Sequence, residues 1–130
     1  MLSNYKSICV ALLILIGSFT LRFLHLGDIP GPTFVYGIRV YKKGSVLIPH
    51  RDKLKTHIIS AIINVDQEID EEWPLIIEDN YYRKHHVFLN PGEVIFYESA
   101  RLDHGRPFPL KGNKFANIFC HFMPVNMEEN

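Results

Sequence analysis

Cysteine and net charge are both scarce in this 130-residue chain. The two cysteines, Cys9 and Cys120, are too few for a disulfide framework or a thiolate zinc finger. Each lies in an apolar run, where a thiol acts as a small buried hydrophobe. Fourteen Lys and Arg residues balance fourteen Asp and Glu residues, so no charge excess points to nucleic acid as a partner. The chain has no internal repeat, and beyond residue 32 no long stretch shows helical periodicity. What is present is apolar and turn-rich: 47% hydrophobic residues, 12% aromatic residues and eight prolines. That composition belongs to one folded domain with a single core, and it excludes disorder.

Residues 7–21 (SICVALLILIGSFTL) carry no charge and are flanked by Lys6 and Arg22. Fifteen residues fall short of the roughly 20 a spanning helix needs, but reading on to residue 26 with Arg22 snorkelling reaches that length. Three readings compete: a signal anchor, which we favour because no clean cleavage site follows, a cleaved signal peptide, and a buried helix of the domain. The first two give a membrane or secretory-pathway address such as the endoplasmic reticulum. We divide the chain into a hydrophobic segment at 1–26, a linker at 27–35 around GDIPGP, a core at 36–124 and a tail at 125–130.

The core reads as strands. Thr33 to Tyr41 and Ser45 to Pro49 flank a hairpin-like KKG turn, and Thr56 to Val65 is a β-branched run suited to a buried strand. An acidic loop, DQEIDEE, follows at 66–72; it lacks calcium-loop spacing and reads as solvated. Leu75 to Ile77, Lys84 to Leu89, Glu93 to Glu98, a short strand near His104 and Lys114 to Met123 bring the total to eight. Short strands separated by frequent turns predict an all-β antiparallel sandwich or barrel. Eight of them suit a jelly roll, here preceded by an N-terminal hydrophobic helix.

Of the seven histidines, His25, His57, His85, His86 and His121 read as structural. His50 and Asp52 form a His-x-Asp pair at a strand end, where residues i and i+2 share a face. His104 follows 52 residues after Asp52, beyond the strand and turn EVIFYESARLD. Two imidazoles and one carboxylate on three corners of an octahedron leave three positions open, the facial triad of non-haem iron(II) chemistry.

Three ordered blocks then resemble the double-stranded β-helix of the Fe(II)/2-oxoglutarate dioxygenases, in the prolyl 4-hydroxylase-like branch. These are YKKGSVLIPHRD at 41–52, PGEVIFYES at 91–99, and His104 followed ten residues later by the lysine of GNK, Lys114. The resemblance implies Fe(II) on His50, Asp52 and His104, and 2-oxoglutarate held by Lys114, with Tyr41 bonding the cosubstrate. Arg106 is a further candidate to touch cosubstrate or substrate. An inward Lys114 requires Ala116, Ile118, Cys120 and Phe122 to point inward too. The implied reaction uses dioxygen and 2-oxoglutarate, releases succinate and carbon dioxide, and hydroxylates a C–H bond, with ascorbate as a reductant. A peptide or protein is the substrate class that the resemblance carries.

The peptide-binding residues of that branch differ here. Leu47 stands where a tyrosine is usual, and Cys120 and Phe122 stand in place of a Trp and a His, with His121 one position off. The domain is also short at its N-terminal side. Two alternatives therefore stay open: a non-catalytic jelly-roll binding module, and a cupin-like Zn(II) hydrolase or isomerase.

Overall fold

A computed structural model describes residues 34–123. The hydrophobic segment at 1–26, nearly all of the linker and the tail at 125–130 lie outside the described residues. Among the described residues no helix is long and apolar enough to cross a membrane. The described residues form eight strands: β1 (Phe34–Lys42), β2 (Leu47–His50), β3 (Ile59–Ile69), β4 (Leu75–Glu78), β5 (Lys84–Val87), β6 (Val94–Tyr97), β7 (His104–Arg106) and β8 (Gly112–Phe122). They form two four-stranded sheets, ordered β1-β8-β3-β6 and β2-β7-β4-β5. Every pairing within them is antiparallel, as expected for an all-β chain.

Period-two patterning builds the core between the sheets. In β4, Leu75 and Ile77 are fully buried, and in β6 Ile95 and Tyr97 face the same interior. With Ile62, Val87, Leu89 and Leu102 they form one cluster, and Tyr41, Trp73, Leu110 and Phe115 form a second. Phe119 packs against both clusters. Each fully buried large side chain contributes about 1.5–3 kcal/mol of transfer free energy.

Two local expectations are corrected. The KKG turn exists, with the Ser45 N–H donating to the Lys42 carbonyl at 2.9 Å, but it closes no hairpin. β1 pairs with β8 and β2 pairs with β7, so the turn carries the chain from one sheet to the other. The third strand runs on to Ile69 and takes in half of the acidic loop, with Glu68 opposite Lys114. Those acids sit on a solvated outer edge, so their charge does not oppose strand formation.

Candidate metal centre

β2 and β7 place the two ligand histidines directly across from each other, in the register His50↔His104. β2 is an edge strand, which is why Pro49 is tolerated within it. Gly105 makes the pairing close. A Cβ there would lie 2.7 Å from the Leu47 carbonyl oxygen and 2.8 Å from the Pro49 backbone. Asp52 lies just beyond β2, and its backbone N–H donates to the Ser99 carbonyl at 2.9 Å.

Backbone carbonyls orient both imidazoles. His50 Nδ1 lies 2.8 Å from the Ile48 carbonyl oxygen, and His104 Nδ1 lies 2.9 Å from that of Leu102. Only a ring N–H can make such a bond, so each Nε2 keeps its lone pair free for a metal. Both Nε2 atoms face one carboxylate oxygen, Asp52 Oδ1, at 3.4 Å from His50 and 3.7 Å from His104. Donors at right angles around an ion roughly 2.1 Å away stand about 3 Å apart, so small side-chain adjustments close the set. His50, Asp52 and His104 can therefore hold a metal ion, as their spacing in the sequence predicts. His104 is 3% exposed, and burial holds its imidazole below its ordinary pKa, which keeps it neutral and ready to ligate.

The same cavity contains a buried cation. Arg106 follows His104 by two residues on β7, on the same face, and is 2% exposed. Its guanidinium lies 4.7 Å from the Trp73 ring centroid and 4.6 Å from that of Phe115. Nη1 donates to the Trp73 carbonyl, while Nη2 is buried with no protein partner. Burial brings its pKa down to about 10, so it remains charged at neutral pH. Tyr41 also lines the cavity, edge-on to Trp73 at 5.1 Å, with a buried hydroxyl that bonds to nothing in the protein. Tyr97 packs edge-on against His104 at 4.8 Å. Burial, ahead of the Asp52 charge, pushes its hydroxyl well above its usual range and keeps it protonated.

Lys114 is not part of this cavity, and the inward orientation expected for it is corrected. Its Nζ pairs with Asp66 Oδ2 at 2.7 Å and Glu68 Oε1 at 3.2 Å on the outer face of the sheet. The inward residues of β8 are Phe115, Asn117, Phe119 and His121. Ala116, Ile118, Cys120 and Phe122 take the opposite parity. Both faces of β8 are apolar, so hydropathy alone did not settle which face carries Lys114 outward. The acids opposite it in β3 decide the matter, and that is a long-range pairing.

Sequence reasoning also left out residues that the fold brings to the site. His57 and His121 were read as ordinary sheet residues, yet both line the cavity, with their rings 3.9 Å apart. Tyr36 and Arg39 of β1 line it as well. Placing Lys114 outward would have turned His121 inward, which is the signal that could have found it. His85, by contrast, is structural as expected: it bonds Asp79 at 2.8 Å in the β4–β5 turn. No protein-family model matches the chain, and no curated protein is significantly similar to it.

Proposed function

We propose that this protein is an Fe(II)- and 2-oxoglutarate-dependent dioxygenase that hydroxylates a C–H bond on a jelly-roll scaffold. The observation that carries this reading is the convergence of His50 Nε2, His104 Nε2 and Asp52 Oδ1 in the same cavity as a buried arginine with a free N–H. Strand orders 1-8-3-6 and 2-7-4-5 support a jelly roll, in which paired Greek keys alternate strands between two sheets.

The donor set fits iron(II): two imidazoles and one carboxylate on a shared face, with the remaining positions open. Bound there with 2-oxoglutarate and dioxygen, the metal would supply an oxidation that divides the two oxygen atoms between succinate, formed with carbon dioxide from the keto acid, and a hydroxyl on the substrate carbon. The protein's own part is to hold and orient. His50, Asp52 and His104 hold the ion. Arg106 takes the far carboxylate of the keto acid in a charge-assisted hydrogen bond from Nη2, the role first expected of Lys114. Residues i and i+2 of a strand are roughly 7 Å apart, a separation that a five-carbon dicarboxylate chelating the ion at one end can bridge. The Tyr41 hydroxyl offers a second hydrogen bond, and Trp73 and Phe115 keep water from the arginine.

The substrate is assigned to the peptide or protein class on resemblance, with Leu47, His57 and His121 forming the walls it would meet. Ascorbate would keep the iron reduced, and residues 7–26 would hold the protein at a membrane of the secretory pathway.

Turnover tests this reading. Purified protein given Fe(II), 2-oxoglutarate and air is expected to form succinate and carbon dioxide in equal amounts, slowly without substrate. Omitting iron or substituting His104→Ala should abolish it. Undiminished turnover in His104→Ala, or none from the folded wild type, contradicts the assignment.

A further inference from the structure

Asp52 has two carboxylate oxygens, and they face different surroundings. Oδ1 meets the two ligand imidazoles; Oδ2 turns the other way, toward two buried side chains. The Ser60 hydroxyl lies 3.3 Å from Oδ2 and His121 Nδ1 lies 3.8 Å from it. Ser60 Oγ is 2.5 Å from Ser99 Oγ and 2.6 Å from His121 Nδ1. Ser60 and Ser99 are fully buried, and His121 is 6% exposed. The sheet explains the convergence. On the large sheet Ser60 is the cross-strand partner of both Tyr97 on β6 and His121 on β8, and so sits between them on the cavity face.

Proton accounting gives the network a direction. An ionised carboxylate can only accept, so in the Ser60–Asp52 bond the serine donates its single proton. The Nδ1–H of His121 can then donate to Ser60, while the Ser99 hydroxyl, in contact with Ser60, donates to the His57 carbonyl at 2.9 Å and anchors the network to the backbone. The arrangement adds no buried charge to that of Asp52 itself.

We infer that Ser60 is a positioning residue of the metal centre: held by Ser99 and His121, its hydroxyl binds Asp52 Oδ2 so that Asp52 presents Oδ1 alone to the ion. This rests on the metal-site reading above. With Oδ2 engaged in this way, Asp52 would offer a metal ion a single oxygen. Carboxylate and imidazole ligands elsewhere depend on such outer partners, whose loss typically weakens metal binding by about 10–100-fold.

The test is metal binding by the full chain, with Co(II) as the probe, read from its d–d absorption. Wild type is titrated beside Ser60→Ala and Ser99→Ala, with folding checked by circular dichroism. Ser99→Ala breaks the same network but leaves the Ser60–Asp52 bond in place. The expected result is a Co(II) dissociation constant raised about 10- to 100-fold in Ser60→Ala and changed no more than about threefold in Ser99→Ala. If Ser60→Ala fails to fold, the double variant Ser60→Ala/Ser99→Ala leaves neither hydroxyl unpaired with the other and carries the same expected loss. Ser60→Thr, which keeps the hydroxyl, should bind within a few fold of wild type. Unchanged or tighter binding in Ser60→Ala overturns the inference while leaving the metal site intact. Equal weakening in both single variants also overturns it, because the network would then be merely structural. Absence of Co(II) binding by the folded wild type overturns the metal-site reading and this inference with it.

Discussion

His50 and His104 each commit Nδ1 to a backbone carbonyl two residues earlier, and that commitment leaves Nε2 as the only nitrogen free to ligate. The same accounting separates the two cations once expected at the site. Lys114 has spent its charge on Asp66 and Glu68 in solvent, whereas Arg106 is buried with one nitrogen unpaired. A charge-assisted hydrogen bond contributes about 1.5–3 kcal/mol, or roughly 10- to 100-fold in affinity. Arg106→Gln should therefore raise the 2-oxoglutarate concentration for half-saturation by about that factor, while Lys114→Ala should leave it unchanged. Steady-state 2-oxoglutarate titrations of the two variants check this, and the reverse ranking would return the role to Lys114. The triad was legible in the sequence because two of its members stand two residues apart at a strand end and the third opens a recognisable block. The expected orientation of the lysine fails because it depends on which face of β8 packs inward, and both faces of that strand are apolar.

The ligand elements β2 and β7 are four and three residues long, so their pairing depends on close backbone approach and not on length. Gly105 is the residue that permits it, since any side chain there meets Leu47 and Pro49 backbone atoms inside 3 Å. Gly105→Ala should push β2 off β7, separate His50 from His104 and abolish Co(II) or Fe(II) binding. Circular dichroism should still show β structure from the larger sheet. Metal binding at wild-type affinity in that variant would mean that the β2–β7 register does not build the site. Strand number and most strand positions were readable from turn residues and β-branched runs. The partner of each strand was not: the Lys42–Ser45 turn resembles a hairpin locally, and only the pairing of β1 with β8 and β2 with β7 makes it a crossover. Nonlocal pairings of this kind leave little trace in a single sequence.

At the scale of the whole molecule, two apolar clusters hold the sheets together, and a buried carboxylate makes the fold sensitive to acid. Asp79, 6% exposed, accepts hydrogen bonds from the Tyr81 and Arg83 N–H groups, the Arg83 guanidinium and His85. His85, ahead of the other donors, holds the Asp79 carboxyl well below the usual carboxylate range. A carboxyl whose folded pKa is depressed stabilises the native state above its unfolded value, about 3.9, and that contribution is lost as pH falls through the folded value. Asp79→Asn should thus lower the urea midpoint at pH 7, and its deficit relative to wild type should shrink progressively below about pH 4. A deficit independent of pH down to strong acid would show that the turn geometry, and not the charge, carries the effect.

The same sandwich holds His50, Asp52, His104 and Arg106 around one cavity, and whether that cavity chelates iron with a keto acid can be observed directly. Full-length protein, kept free of oxygen and loaded with Fe(II), is titrated with 2-oxoglutarate while the visible spectrum is recorded. The assignment predicts a saturable metal-to-ligand charge-transfer band that is absent in His104→Ala. A folded, iron-loaded protein that develops no such band at saturating 2-oxoglutarate would contradict it.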